Sequence, residues 1–252
     1  AELLPADSYQ LTLYHAREPE AAWRGLNASV SSQLDLVTAV FVPRFLGGVV
    51  RNLGVEDPAS FLRAAGPGPA TARRDDGGAS TVLVVEARDR AALEAEVRKH
   101  LGPGARNVNV GGETLYVSAD EELGAAVFVG GRWVLGGEDD VRRCLEARAS
   151  AKTLAASPNF QQSTRGLFQS PTAAASTWTD DTASAAAFVS YFGKRKLAPD
   201  DPALKEAFAR PLARRAYAVT ESRFVSEGYE RKTVSSFGSF GSLLTRFAPA
   251  GD

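Results

Sequence analysis

Methionine is absent from all 252 residues, and position 1 is alanine. An intact translation product starts with methionine. The opening Ala1-Glu2-Leu3-Leu4-Pro5-Ala6-Asp7 therefore reads as a mature end left behind a removed signal peptide, giving a periplasmic or otherwise exported address. The single cysteine, Cys144, excludes an internal disulfide framework without arguing against that address. It falls on the apolar side of an expected helix, with Val141 and Leu145, and is read as a buried structural thiol rather than a nucleophile. Two histidines, His15 and His100, leave few ways to build a histidine-based triad or a zinc site. No nucleophile elbow, Walker A, H-E-x-x-H or C-x-x-C motif occurs. The reading is a chain without catalytic, cofactor or metal residues.

Long apolar runs are missing as well. The nearest, Leu36 to Val50, is interrupted by Pro43, Arg44 and Gly47-Gly48, so no membrane-spanning helix is expected. With 29 basic and 30 acidic residues, the net charge of -1 calls for neither nucleic acid nor an anionic membrane. The clusters Arg73-Arg74, Arg142-Arg143, Lys194-Arg195-Lys196 and Arg214-Arg215 each have acidic neighbours and read as solvated faces.

What is present is a fold signal, centred on Ser80 to Ala149. Thr81 to Val85 is a continuous apolar run, expected to form a central strand buried on both faces. After Arg88-Asp89 the apolar residues Ala92, Leu93, Val97 and Leu101 follow at helical spacing, with His100 read as a C-terminal dipole partner. Gly111-Gly112 and Gly130-Gly131 each separate two short strands: Arg106 to Val110 from Thr114 to Val117, and Ala125 to Val129 from Arg132 to Leu135. Both read as hairpins. The acidic run Glu138-Asp139-Asp140 opens a helix over Val141 to Ala149.

Upstream, Ser8 to Ala16 alternates as a half-buried strand, and Arg17-Glu18-Pro19-Glu20 opens a helix. Leu34 to Leu53 predicts one or two short helices. Asp57-Pro58 caps another over Ala59 to Ala65, and Ala70 to Arg74 is a short strand before a turn at Asp75-Asp76-Gly77-Gly78. Downstream, a helix carries Phe160 to Leu167 and a strand spans Ala173 to Thr179. Asp180-Asp181 caps a helix, a further helix spans Ala203 to Leu212, and Arg215 to Val225 returns as Tyr229 to Ser235. Strand-to-helix junctions near Tyr14, Val85 and Trp178 form a faint βα repeat.

One further set of segments points to a family. Leu3 to Asp7, LYVS from Leu115, VFVGGRWVLGGEDDVRR from Val127, SPNF from Ser157 and ESRFVSEGYERKTVSSFG from Glu221 resemble a family of uncharacterised exported bacterial proteins. That family shares a domain of unknown function and has acidobacterial-type members. The resemblance covers most of the chain and implies an α+β fold and an envelope or periplasmic location. It implies no catalytic residues.

The sequence therefore predicts a single α+β domain over 1–252 with a large, mostly antiparallel sheet, packed helices and sub-lobes 1–79, 80–156 and 157–252. Two functions stand. One is a non-catalytic exported protein-binding module, an extrinsic subunit of a bacterial envelope or membrane complex. The other is a small-ligand or lipid-binding periplasmic protein with an apolar cleft lined by Leu36 to Val50. The candidate partner-binding stripe is Phe237, Phe240, Leu243, Leu244 and Phe247, five large apolar residues after the final hairpin.

Overall fold

The apolar run at Thr81 makes the strand the sequence predicts, and its neighbours explain the rest. In the computed structural model the described residues are 1–32, 55, 57–74, 80–165, 173–182, 217–225 and 228–236. They run through β1 (Gln10–Tyr14), α1 (Pro19–Ser32), α2 (Pro58–Ala64), β2 (Ala70–Arg73), β3 (Thr81–Glu86), α3 (Arg90–Leu101), β4 (Arg106–Val110) and β5 (Glu113–Val117). Then come β6 (Ala125–Val129), β7 (Arg132–Gly136), α4 (Glu138–Ala149), α5 (Pro158–Thr164), β8 (Ala175–Asp180), β9 (Tyr217–Val225) and β10 (Gly228–Ser235). The α+β class is as expected, with ten strands in the hydrogen-bonding order β10-β9-β8-β1-β2-β3-β7-β6-β5-β4.

The chain divides into two compact units that interleave in sequence: Ala1–Thr12, Arg73–Ala79 and Ala151–Asp252 form one, and Leu13–Ala72 with Ser80–Ser150 form the other. In the second unit β3 pairs antiparallel with β7, β7 with β6, β6 with β5 and β5 with β4. The register sorts side chains into rows, because partners directly opposite share a face. Val85, Trp133 and Phe128 form one row, and Leu83, Leu135, Ala126 and Tyr116 form the next, on the same face. These rows belong to a core closed by Leu93, Val97 and Leu101 of α3 and by Phe61 and Ala64 of α2. The intervening rows face the other way. They hold Val84, Val134, Val127 and Leu115, then Val82, Gly136, Ala125 and Val117.

α4 covers that second face. Its Val141, Cys144 and Leu145 are buried, and its Arg148 reaches Glu113 on β5 at 2.9 Å. The acidic first turn of α4 begins at Glu138 rather than Val141. Glu138 is held there by Arg142 one turn on, at 2.5 Å, and by Arg106 at 3.5 Å. β3 is thus covered on both faces, as its unbroken apolar run requires.

Local chemistry fixes the element ends. The Asp57 carboxylate accepts from the Ala59 and Ser60 amides, and the Asp89 carboxylate from the Ala92 amide, satisfying first-turn donors of α2 and α3. Both Gly-Gly pairs have positive φ at each residue, the twist that two-residue hairpin loops need.

The other unit is more polar. β8 pairs antiparallel with β9, and β9 with β10. Its described core is Trp178, fully buried, with its indole N–H donating to Ser163 Oγ at 2.8 Å and the Phe160 ring edge-on at 5.3 Å. Leu4, Leu11, Leu154 and Val219 are also buried there.

Burial decides the effect of a charge on β3. Val85 is fully buried and Val84 half-buried. Val85→Asp is expected to lower the unfolding free energy by about 3–5 kcal/mol, because its carboxylate would be buried in an apolar cluster. Val84→Asp should cost less. Urea unfolding of both variants checks this, and a wild-type midpoint for Val85→Asp would contradict the packing described.

Candidate functional site

Edge strands carry backbone groups that a sheet interior would satisfy, and β10 ends the strand order. Its pairing with β9 runs over eight residues, from Gly228↔Val225 to Ser235↔Ala218. Which of its groups turn outward follows from one bond. The Ser236 amide donates to the Tyr217 carbonyl at 2.9 Å, so in the alternating pattern of an antiparallel ladder the even residues of β10 bond to β9. The odd residues, Arg231 and Thr233 among them, direct their N–H and C=O away from it. Residues 230 to 234 are exposed, including Val234 at 38%.

Two devices hold this ribbon in register. Opposite charges lie directly across from each other on one face: Glu230 against Arg223, as an ion pair, and Lys232 against Glu221. The Arg223 guanidinium holds the Glu230 carboxyl below its ordinary range. On the other face runs a row of threonines. Thr12 Oγ1 lies 3.0 Å from Thr177 Oγ1, Thr177 stands opposite Thr220, and Thr220 Oγ1 lies 2.9 Å from Thr233 Oγ1. The row crosses β1, β8, β9 and β10 and stops at the edge.

A second feature belongs to the other unit. Ala95, Arg98, Lys99, Leu101, Gly102, Ala105 and Tyr116 line an open cleft of about 570 Å3 at the end of α3. The Arg98 guanidinium stacks over the Tyr116 ring at 4.4 Å and is tied to Glu94 at 2.9 Å. An aryl ring, two cations and an apolar floor would suit an anion with an apolar body.

Asp181 is a buried titratable group that the sequence does not single out. The pair Asp180-Asp181 reads as a helix cap, and Asp180 does accept from the Thr182 amide at 2.9 Å. Asp181 instead is 4% exposed, and its Oδ2 meets no hydrogen-bond donor. Burial, with the Asp180 charge beside it, pushes its carboxyl up to about 7. Adjacent residues of identical chemistry carry no signal that could have told them apart.

The remaining candidates behave structurally. Cys144 is buried, which with the nearby Asp140 charge pushes its thiol up to about 12, the opposite of an activated nucleophile. His100 lies in the last turn of α3, but it is buried, and its Nε2–H donates to the Leu123 carbonyl at 3.2 Å. It anchors the Glu121–Leu123 turn. Among the described residues no three His, Cys, Asp or Glu side chains gather as metal ligands, and no helix is long and apolar enough to cross a membrane. The stripe Phe237, Phe240, Leu243, Leu244 and Phe247 lies outside the described residues, as do Leu36 to Val50 and the Asp75-Asp76 turn.

No family model and no curated protein matches the chain. Among solved structures it is similar to TP0453 in two crystal forms. Form III aligns at 9% identity with a TM-score of 0.42, over 94% of this chain and 79% of that one. Form IV aligns at 10% identity with a TM-score of 0.36, over 98% and 95%.

Asp181 makes stability depend on pH with a definite sign. Its folded pKa is raised from the model-compound value of 3.8 to about 7, so the unfolded chain releases this proton first. Its contribution to stability therefore falls as pH rises from about 4 to about 7, and stays flat above. Asp181→Asn removes that term. The stability difference between variant and wild type should grow by up to about 4 kcal/mol across that window, read from urea unfolding at each pH. A difference independent of pH would show that Asp181 ionises normally. A thiol reagent at pH 8 should leave Cys144 unlabelled in native protein and label it after unfolding.

Proposed function

We propose that the chain is a non-catalytic, exported protein-binding module that docks a partner polypeptide by strand addition along β10, as an extrinsic subunit of an envelope or membrane complex. The observation that carries this is the open edge itself. Among the described residues no strand pairs with its outer side; it is eight residues long, exposed from Glu230 to Val234, and held in register by β9. Main-chain hydrogen bonds would supply affinity, and the exposed side chains specificity. An extended polypeptide satisfies such an edge far better than a small molecule does. β10 also leads directly into Phe237, the start of the apolar stripe, so one partner could take both. The envelope address rests on the likeness of the strand and turn segments to exported bacterial proteins. The non-catalytic reading draws support from Cys144 and His100, both engaged structurally.

The cleft at Arg98 and Tyr116 favours a second reading, in which the chain carries a small anionic ligand with an apolar body. Native mass spectrometry of the protein isolated from its own source separates the two. A mass equal to the chain plus a polypeptide, reduced by Thr233→Lys, is the outcome expected. A chain carrying only a small molecule, released by Arg98→Ala, would replace the first reading with the second. A bare chain would refute both.

A further inference from the structure

We infer that β4, at the opposite end of the strand order from β10, pairs antiparallel with β4 of a second copy of this chain, about a twofold axis at Val108. This pairing does not depend on the docking role proposed for β10. Backbone, apolar packing and charge lead to the same register.

The backbone sets the parity. The Ser118 amide donates to the Gly124 carbonyl at 3.0 Å, so in the alternating pattern Tyr116 bonds to β6, while Glu113, Leu115 and Val117 bond to β4. Their partners are Val110, Val108 and Arg106, which leaves the N–H and C=O of Asn107 and Asn109 directed outward. Both asparagines are exposed, and no described residue bonds to those groups. An antiparallel copy must therefore set odd residues against odd ones. Both ends of the strand are fixed. The Ala105 amide is taken by the Gly102 carbonyl, and Gly111 turns into the hairpin with φ +61°. Centring on Asn107 would draw Ala105 into the ladder, and centring on Asn109 would draw in Gly111. An axis at Val108 pairs all five residues of β4. Asn107 of each copy then meets Asn109 of the other, and each such pair exchanges two main-chain hydrogen bonds.

The apolar row reaches this edge unfinished. Val84, Val134, Val127 and Leu115 are followed on β4 by Val108, which stands opposite Leu115 and is only half-buried. With the axis there, Val108 meets Val108 in a pair that makes no main-chain bonds of its own and so stands close. The row continues through the second copy, and each valine takes the other out of water.

Charge agrees with this register. Arg106, the one charged residue of β4, stands opposite Val110 of the second copy, so no like charges are opposed. Its aliphatic stem lies along that valine, with Glu113 next in the same row. Asn107 against Asn109 sets amide against amide, and each can donate and accept. A strand of unrelated sequence would have to supply all of these matches, whereas a second copy supplies them by symmetry. β4 also carries no proline and no bulge, devices that otherwise close an edge.

Sedimentation equilibrium of the full chain, up to about millimolar concentration, tests this, with a weak dimer expected from so short a ladder. Asn107→Pro removes an outward N–H that the β5 ladder does not use, a place where an edge strand tolerates proline. It should weaken the dimer at least about tenfold. Val108→Cys should cross-link two copies on mild oxidation, since the Cα atoms of such a pair stand about 4.5 Å apart, within disulfide reach. Thr114→Cys, exposed on β5 one strand in from the edge, should not. Buried Cys144 does not compete. Should Asn107→Pro fail to fold, the two cysteine variants still decide. A monomer across the whole range, or a dimer that Asn107→Pro leaves intact, overturns the inference. So does a Val108→Cys variant that cross-links no better than Thr114→Cys. A dimer that Thr233→Lys weakens instead lies along β10 and overturns the β4 pairing alone.

Discussion

The pairing of β3 with β7 is the constraint on which one whole unit depends. Side chains alternate faces along a strand, so a slip of one residue would exchange every row for its neighbour. In the register observed, Trp133 stands opposite Val85 and lies between Tyr116 and Phe128, with ring centroids 5.7 and 5.5 Å away. α3 fits over that aromatic cluster. Leu93, Val97 and Leu101 fill the space above it, while Arg90 stacks on Phe128 and Arg98 on Tyr116 at its two ends. Shifted by one, Trp133 would turn toward α4, where Gly136 and Ala125 leave only room for small side chains against Val82. The two faces are differently shaped, and only one can take the indole.

Much of this was legible because its causes are local. An unbroken, largely β-branched Thr81–Val85 run, followed at Arg88-Asp89 by helical spacing, reads as a strand covered on both faces. Asp57 and Asp89 stand where a helix needs an acceptor, and paired glycines supply the φ values of a tight hairpin. Each of those signals lies within a few residues of the structure it makes. What the sequence hid is long-range. Thr12 and Thr177, 165 residues apart, share a hydrogen bond, and no composition or period announces that β1 lies beside β8. The interleaving of the two units follows from such pairings, which is why consecutive sub-lobes were the natural reading. Gly124 follows the Glu121–Leu123 turn. Its φ is +70°, and a Cβ there would collide with the Gly136 carbonyl, a close approach only coordinates reveal.

The sequence directs attention to the apolar stripe after the C-terminal hairpin, which lies outside the described residues, and the structure to the edge strand of that hairpin. Sequence reasoning followed apolar side chains, and so selected Phe237, Phe240, Leu243, Leu244 and Phe247. The described part of that region offers backbone instead. An edge strand's capacity to bind lies in N–H and C=O groups common to every residue, and which of them face outward depends on a register that no residue type encodes. Asp181 escaped notice for a related reason: burial, not identity, made it unusual.

The two units also solve the register problem by different means. Where both faces are covered, apolar rows of unequal size specify the pairing, and a slip would cost whole buried side chains at about 1.5–3 kcal/mol each. β9 and β10 are too exposed for that. There the pairing is specified by charge, with Glu230 against Arg223 and Lys232 against Glu221, and by the bonded pair Thr220–Thr233. Individually these solvent-exposed interactions contribute little in water. They discriminate nonetheless, because a slip by two residues, which keeps every side chain on its face, would set Lys232 against Arg223 or Glu230 against Glu221. Charges that contribute little to stability can therefore fix an alignment.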